Sequence, residues 1–230
     1  MTITLDPVTG RLASGSAATR GNGAPVAAPA ADSSDAVLRA IETRRSAPAW
    51  LPEAPPRELV ERVLDAGNRA PNHKLTQPWR FFVLRGDARL EYASARASDQ
   101  IAFQSSRVSV PSDAWATQCR EMTAQNLLRA PLVIAVGCQP AQLPDLPDWE
   151  ELAAASAAVQ NMLLAAHALG LGAAWKSRSC PLPGAVAWLG LPPHAQLIGH
   201  VLLGYADPAV PLKPKVRRPH PELTSWLGWG

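Results

Sequence analysis

Two guanidinium groups and a hydroxyl follow one another at Arg44-Arg45-Ser46, at the end of the first predicted helix. Arginine forks and a hydroxyl suit a phosphate group, because they donate charge-assisted hydrogen bonds to its oxygens. A helix C-terminus carries the negative end of the helix dipole, so the arginines rather than the helix would hold an anion here. The alternative is that the two arginines only complement that dipole.

A second donor-rich segment, RAPNHKLTQPW, covers residues 69–79 between a helix stop and a predicted strand. Loops at strand edges often carry binding residues, because the strand holds them in place. The segment supplies five hydrogen-bond donors: Arg69, Asn72, His73, Lys74 and Gln77. The alternative is a polar turn that is basic without binding anything.

The third segment, GLGAAWKS, covers residues 170–177. Its two glycines let another group approach the backbone closely, and Trp175 could flank a planar ligand. The pattern is not a dinucleotide fingerprint, because the third glycine is missing and the segment follows a helix rather than a strand. The alternative is a glycine helix cap followed by a strand.

The C-terminal tail interleaves prolines with Lys213, Lys215, Arg217 and Arg218. Such a tail could close over an anionic ligand, contact nucleic acid or remain a solvated arm. A net charge of +3 is too small to indicate nucleic acid by itself. We therefore expect no nucleic-acid partner.

Other common chemistries are not indicated. The chain has neither a G-x-S-x-G elbow nor H-E-x-x-H, and its five histidines lack metal-ligand spacing. We expect His167 and His200 to be core residues, because they lie within apolar elements. Three cysteines without a C-x-x-C pair indicate a reducing compartment rather than disulfides or zinc. A solvated acidic patch is expected from Asp145, Asp148, Glu150 and Glu151.

The 230 residues fit one domain with a sizeable core, and 23 prolines exclude a bundle of long helices. Residues 1–34 are rich in Ala, Gly, Ser and Pro and predict a disordered extension. Neither a leader pattern nor an apolar run of about 20 residues is evident, so we expect a cytoplasmic protein without a membrane partner.

Hydrophobic periodicity predicts helices that alternate with strands, a mixed α and β class. The first helix is capped by Ser34 or Asp35, and the second has Pro56 in its first turn with Leu59, Val63, Leu64 and Ala66 on one face. The predicted helices cover residues 35–46, 56–70, 86–102, 115–128, 149–169 and 183–189. The predicted strands cover 79–84 (buried), 131–137 (central), 171–177 and 195–205. The helix at 149–169 is apolar almost all round, which is typical of a core or subunit interface.

Taken in order, RRS, RAPNHK-x-x-QPW, LRAPLVIAVGC, MLLAAHALGLGAAWKS and LIGHVLLGYADP resemble the nitroreductase family, in its small single-domain branch. The resemblance covers about residues 35–210, before a basic tail at 211–230. It implies an α+β fold, with a mixed sheet of about four to five strands flanked by helices, in a homodimer. It also implies two FMN molecules at the dimer interface, each contacted by both chains.

The resemblance further implies which residues contact the cofactor. Those contacting FMN within one chain are Arg44, Arg45, Ser46, Trp175, Lys176 and Ser177. Arg69 and His73 match positions that reach FMN from the other subunit. A stretch matching the nicotinamide nucleotide site comprises Ala165, Ala166, His167, Ala168, Leu169 and Gly170. The tail is similar to family tails near the phosphate.

The implied function is an FMN-dependent NAD(P)H oxidoreductase. A ping-pong hydride transfer would pass electrons to a small nitroaromatic or quinone-like acceptor, so no side-chain acid or base is expected. The sequence departs from the family pattern at two positions. Lys176 stands where relatives have arginine and donates to an anion without the same fork. Arg178 stands where a small residue is usual, which could alter access to the flavin and so the substrate. Alternatives are dehalogenation or a flavin-consuming reaction on the same fold, with residues 105–114 as a lid, or a non-enzymatic binding module.

Overall fold

Six helices and four strands make up the computed structural model, which describes residues 31–107, 112–177, 181–212 and 215–229. Residues from Val37 onward form one compact unit. The helices are α1 (Ala31–Thr43), α2 (Arg57–Asn68), α3 (Ala88–Ser105), α4 (Asp113–Leu128), α5 (Asp148–Ala168) and α6 (Pro183–Trp188). The strands are β1 (Trp79–Leu84), β2 (Leu132–Cys138), β3 (Gly172–Lys176) and β4 (Gln196–Gly204). The α+β class and the strand number expected from sequence are confirmed.

The four strands form one sheet in the order β1-β2-β4-β3, and each of these pairings is antiparallel. Every residue of β2 is buried, which confirms the expectation of a central strand. The expectation that β1 is buried was wrong, because β1 lies at the sheet edge and buries only Trp79 and Leu84. The residues of β1 are apolar because helices cover both faces of the sheet, although β1 pairs with a strand on one side only.

Helices cover both faces of the sheet. Because successive side chains of a strand point to opposite faces, Ile134 and Val136 pack in the core formed with α2 and α5. Val133 and Ala135 pack in the second core, with Tyr92 of α3 and residues of α4 and α6. Two buried faces explain why β2 is continuously apolar instead of alternating.

Helix α5 is the long apolar helix predicted from sequence. Its buried residues include Ala158, Val159 and Met162, which are fully enclosed. Gly67 of α2 permits close packing here, since a Cβ at Gly67 would lie 2.7 Å from Cγ of Met162. The close α2–α5 contact sets the position of the loop that follows α2.

Two helix starts and ends differ from the sequence prediction. Helix α1 begins at Ala31, so neither Ser34 nor Asp35 is its N-cap, and it ends at Thr43, before Arg44. Helix α2 follows Pro56 and buries Val60, Val63 and Gly67 rather than the predicted face. The helix is rotated so that the Gly67 side points into the core. Of the predicted face, only Val63 is therefore fully enclosed. Leu59 and Leu64 pack at the rim of the core, and Ala66 is half-buried.

Some expectations fall outside the described residues. These are the extension at 1–30, most of the tip of the 105–114 segment, Arg178, Cys180 and Lys213. None of the helices in the described parts of the chain combines the length and apolar character that a membrane crossing requires.

Candidate functional site

The Arg44–Ser46 segment lies beside the edge strand β3. The Ala47 amide donates to the Ala173 carbonyl at 3.1 Å, and Nε1 of Trp50 donates to the Gly172 carbonyl at 2.8 Å. Ala47 immediately follows Ser46, and Ala173 is two residues from Trp175. The fold therefore brings the first and third predicted segments to the same edge of the sheet.

The glycines of the third segment have structural roles. A Cβ on Gly172 would lie 2.9 Å from Cβ of Ala206 and 3.0 Å from Cβ of Ala47, so the group that approaches this backbone is the chain itself. Gly170 has φ +74° and terminates α5, as the helix-cap alternative proposed. Neither glycine needs a ligand to explain it.

Arg44 belongs to a cluster of positive charge. Partial burial, followed by the positive charges of Arg45 and Arg217, lowers the pKa of Arg44. The tail residue Arg217 therefore lies close enough to Arg44 for a significant electrostatic effect. Nη1 of Arg45 donates to the carbonyls of Glu42 (2.6 Å) and Arg44 (2.9 Å), so Arg45 also complements the end of α1. Both interpretations of the arginine pair therefore have structural support.

The C-terminus of α5 reaches the same region. Nε2 of His167 lies 2.8 Å from Oγ1 of Thr43, the last residue of α1. The predicted nicotinamide stretch, Ala165–Gly170, is thereby placed next to the arginines. Within it Ala166 is fully buried, so its side chain is unavailable to a ligand, whereas Ala168 and Gly170 are exposed. His167 is half-buried and not a fully enclosed core residue, which corrects the sequence expectation.

His73 lies at the other end of α5. Nδ1 of His73 is 3.0 Å from Oε2 of Glu150, in the first turn of α5, and Lys74 pairs with Asp145. Glu150 and His167 are 17 residues apart in this helix, which is about 25 Å at the α-helical rise. Within one chain, the structure therefore does not bring His73 together with the other predicted segments.

The loop after α2 has an unusual backbone. Lys74, Leu75 and Gln77 have φ values of 55°, 54° and 47°, each a left-handed conformation that costs about 1–3 kcal/mol for a residue other than glycine. The Gln77 amide donates to Oδ1 of Asn72 at 3.0 Å. Oδ1 of Asn68 accepts from Nε1 of Trp79 at 2.9 Å. These bonds hold the loop in a conformation that sequence reasoning did not anticipate.

The third segment also borders a polar cavity. Lys176 and Ser177 line about 320 Å³ of space together with Arg96 and His200. His200 is 3% exposed and its Nδ1 is 3.3 Å from Nη1 of Arg96. Burial, followed by the charges of Arg96 and Lys176, lowers the pKa of His200 to about 3, so this histidine is neutral at pH 7. His200 is buried as expected, but its contact with Arg96 was missed because 104 residues separate them.

Asp145 and Asp148 are exposed, as expected of a solvated acidic patch, but Glu151 is not. Glu151 is 2% exposed, and its Oε2 accepts from the Ala141 amide at 2.7 Å. The loop before α5 folds over this turn and buries the carboxylate. Burial, with the charges of Glu151 and Asp148, raises the pKa of the Cys138 thiol to about 12.

The fold agrees with comparisons to known proteins. The model of the nitroreductase family matches residues 41–205. YdjA of Escherichia coli K12, named as a candidate NAD(P)H nitroreductase, is 35% identical over 141 residues, 61% of this chain and 71% of that protein.

Two solved structures extend the match. A nitroreductase-like protein of Bacillus cereus superposes with a TM-score of 0.70 at 24% identity, covering 84% of this chain and 96% of that one. A candidate nitroreductase of Desulfovibrio desulfuricans, solved with FMN, has a TM-score of 0.63 at 28% identity, with 84% and 98% covered. On this sequence and fold evidence, the chain belongs to the nitroreductase family.

Proposed function

We propose that this protein is an FMN-dependent NAD(P)H oxidoreductase. The observation that carries the proposal is the cluster of Arg44, Arg45 and Arg217 beside the β3 edge, where partial burial and then the neighbouring positive charges lower the pKa of Arg44. Like charges are held together at a cost that an anionic ligand would offset. The FMN complex of the Desulfovibrio relative supports a flavin phosphate as that anion.

The donor set fits FMN. Arg44, Arg45, Ser46 and Arg217 would hold the phosphate, because Ser46 is exposed beside the arginines. The Trp175–Ser177 segment would face the flavin. Nε1 of Trp175 is buried and has no hydrogen-bond partner in the described structure, so it has a donor to offer. The position of Arg217 favours a tail that closes over the cofactor rather than one that binds nucleic acid.

When bound, FMN supplies the redox chemistry: it accepts a hydride from NAD(P)H and then reduces a small nitroaromatic or quinone-like acceptor. The residues of the chain would bind the cofactor and orient its substrates. The exposed part of Ala165–Gly170 would border the nicotinamide nucleotide, because Thr43 and His167 tie this stretch to the arginine cluster. The two substrates would use the same site in turn, in a ping-pong scheme.

A homodimer would complete the site. His73 contacts Glu150, about 25 Å along α5 from His167, so it would contribute from a second copy. Two α5 helices packed antiparallel about a two-fold axis would place the His73 end of one copy beside the His167 end of the other. On α1, Val37, Leu38 and Ile41 are each more than half exposed, which leaves an apolar face for such an interface.

The test is the absorbance spectrum of the purified protein and its change with NADH or NADPH under anaerobic conditions. We expect a flavin spectrum that NAD(P)H bleaches and that a nitroaromatic or quinone acceptor restores. Arg44→Ala should lower FMN affinity at least about tenfold, the effect of losing a charged hydrogen bond. Arg62→Ala, an exposed arginine of α2, is the matched control. A protein that takes up no FMN would refute the proposal.

The domain limits are part of the proposal. We propose that residues 35–210 form the flavin-binding domain, that 1–34 are an extension outside it and that 211–230 form the tail. The family match at 41–205 supports these limits. Removing residues 1–30 should leave FMN affinity unchanged, and a loss of FMN on this truncation would contradict the assignment.

A further inference from the structure

A cavity of about 420 Å³ lies between the connector at 50–54 and the end of the sheet where β1 stops and β2 begins. We name it the connector pocket. Three arginines from separate parts of the fold line it: Arg85 follows β1, Arg89 lies in the first turn of α3, and Arg129 follows α4. The other lining residues are apolar side chains and a glycine. Every charged group in the described lining is therefore a guanidinium.

The three positive charges of the connector pocket are not balanced by carboxylates. Arg85, Arg89 and Arg129 form no ion pair with any residue in the described parts of the chain. The acidic residues nearest in sequence, Glu53 and Asp87, are exposed and are not among the described lining residues. Like charges that share one concave site repel one another. An anion bound in the pocket would offset this repulsion.

Two of the three guanidinium groups are oriented by the main chain. Nη1 of Arg89 donates to the Ala130 carbonyl at 2.5 Å, and Nη2 of Arg129 donates to the Pro48 carbonyl. The guanidinium carbon of Arg129 also lies 6.0 Å from the centroid of the Trp50 ring. Each guanidinium has five N–H groups. These few contacts therefore fix the direction of both side chains and leave other donors for a ligand.

The third guanidinium, that of Arg85, has no structural role in the described chain. Arg85 is exposed, and its side chain makes no hydrogen bond or ion pair with a described residue. Gly86, with φ +59°, turns the chain directly from β1 into α3. This turn brings Arg85 to the N-terminal end of α3, where the helix dipole adds positive potential. Arg85 can therefore be replaced without removing a contact that the fold uses.

The connector pocket is separate from the proposed flavin site. None of its described lining residues belongs to the segments 44–46 and 175–177 or to the tail. Arg85 follows β1, whereas Arg44 lies near β3, and these two strands are the opposite edges of the sheet. Three strand spacings separate them, which is about 14 Å. An anion in the connector pocket would therefore be a second ligand and not the phosphate of FMN.

We propose that the connector pocket binds a small molecule through a diphosphate group. A diphosphate carries more negative charge than one carboxylate, and its oxygens can contact more than one arginine at a time. Contacts between a guanidinium fork and phosphate oxygens give orientation as well as affinity. The cavity falls within the range of about 300–1,000 Å³ that is usual for small-molecule sites. The apolar wall at Trp50 and Pro131 leaves room for the body of the ligand.

The test is calorimetric titration of the purified full-length protein with inorganic pyrophosphate and with orthophosphate. The protein is first saturated with FMN, so that the proposed flavin phosphate site is filled. We expect pyrophosphate to bind at least about tenfold more tightly than orthophosphate, because it can contact more of the arginines. Equal affinity for the two anions would overturn the diphosphate assignment. A protein that does not bind pyrophosphate would overturn the proposal.

Variants locate the bound pyrophosphate. Arg85→Gln and Arg129→Gln should each weaken its binding at least about tenfold, because each removes a charged hydrogen-bond donor. Arg120→Gln removes the same charge from an exposed position of α4 and should leave the affinity unchanged. Full affinity in both pocket variants would refute the proposal. Equal weakening in all three variants would mean that general positive charge, and not the pocket, attracts the anion.

The same titrations separate this proposal from the proposed flavin function. We expect Arg85→Gln to retain FMN and Arg44→Ala to retain pyrophosphate. If Arg44→Ala loses pyrophosphate while Arg85→Gln does not, pyrophosphate occupies the flavin phosphate site, and only the further inference fails. If the protein takes up no FMN yet binds pyrophosphate through Arg85, only the proposed flavin function fails.

Discussion

The two ends of α5 are both basic, but they carry their charge differently. At the C-terminal end, partial burial and then the positive charges of Arg45 and Arg217 lower the pKa of Arg44. At the N-terminal end, His73 contacts Glu150 and Lys74 contacts Asp145. Unbalanced positive charge suits the binding of an anion, whereas paired charge holds a loop in shape. The donor-rich loop and the arginine pair looked alike in sequence, yet two cations of the loop are paired with carboxylates.

Reversing a charge at the arginine end should have the largest effect. Arg44→Glu replaces a guanidinium donor by a carboxylate facing the same anion, so FMN affinity should fall by at least about a hundredfold. Fluorescence titration of apoprotein with FMN measures this. Glu42→Arg, a charge reversal on the exposed surface of α1, is the control. Equal losses in both variants would mean that general charge, not the cluster, holds the phosphate.

Lowering the pH should destabilise the protein through His200, which lies near Arg96 and Lys176. Its pKa is lowered to about 3 in the fold, first by burial and then by Arg96 and Lys176, against about 6.5 when unfolded. Between these values only the unfolded chain binds the proton, so stability falls as pH drops below about 6.5. The contribution at pH 5 is about 2 kcal/mol.

Urea unfolding at pH 5 and pH 7 measures the effect of His200. Because His200→Gln cannot titrate, its stability should vary less between the two pH values than that of the native protein. His194→Gln, an exposed histidine, should leave the pH dependence intact. An unchanged pH dependence in His200→Gln would exclude His200 as the titrating group.

Near the N-terminal end of α5, we expect the hydrogen bond that Asn68 accepts to contribute more to the free energy of unfolding than the two ion pairs do. Asn68→Ala removes the acceptor for Nε1 of Trp79, which should cost about 1–2 kcal/mol of unfolding free energy because the donor is partly buried. Urea unfolding measures the cost, and Gln125→Ala, which removes an exposed amide side chain from α4, is the control. A loss no greater than the control's would show that the indole N–H finds another acceptor.

The smallest effect is expected for the exposed pair of Lys74 and Asp145. Lys74→Ala removes a contact between exposed charges, which typically contributes little. The thermal midpoint should change by no more than about 2 °C. A large drop in the midpoint would mean that the pair, rather than the hydrogen bonds of Asn68 and Asn72, maintains the left-handed backbone of the loop.

Much of the fold could be predicted from sequence because it depends on local pattern. We identified β2 and α5 because both elements are buried on most sides. Such burial requires a continuous run of apolar residues, which is easy to recognise in a sequence. The bounds of α1 were missed because the composition of residues 31–34 favours a disordered segment as much as a helix. Glu151 was misassigned because the loop that buries it is irregular.

The candidate site was predictable only in part. Arg44 and Trp175 are 131 positions apart in sequence, and the resemblance, rather than spacing, joined them in one site. The pairing of Arg96 with His200 carries no local signal, because an arginine on one helix and a histidine on a distant strand meet only through the sheet. The left-handed backbone of Lys74 and Leu75 was also unpredictable, since neither residue type favours it.

The segment that carries the arginines also protects an edge of the sheet. The hydrogen bonds from Ala47 and Trp50 cover backbone carbonyls of β3 that another chain could otherwise use to extend the sheet. Release of this segment would expose a strand edge that could pair with another chain, together with the proposed phosphate site. If FMN binds there as proposed, the bound cofactor also keeps this edge covered, and protein expressed with an adequate flavin supply should stay dispersed longer than flavin-starved protein.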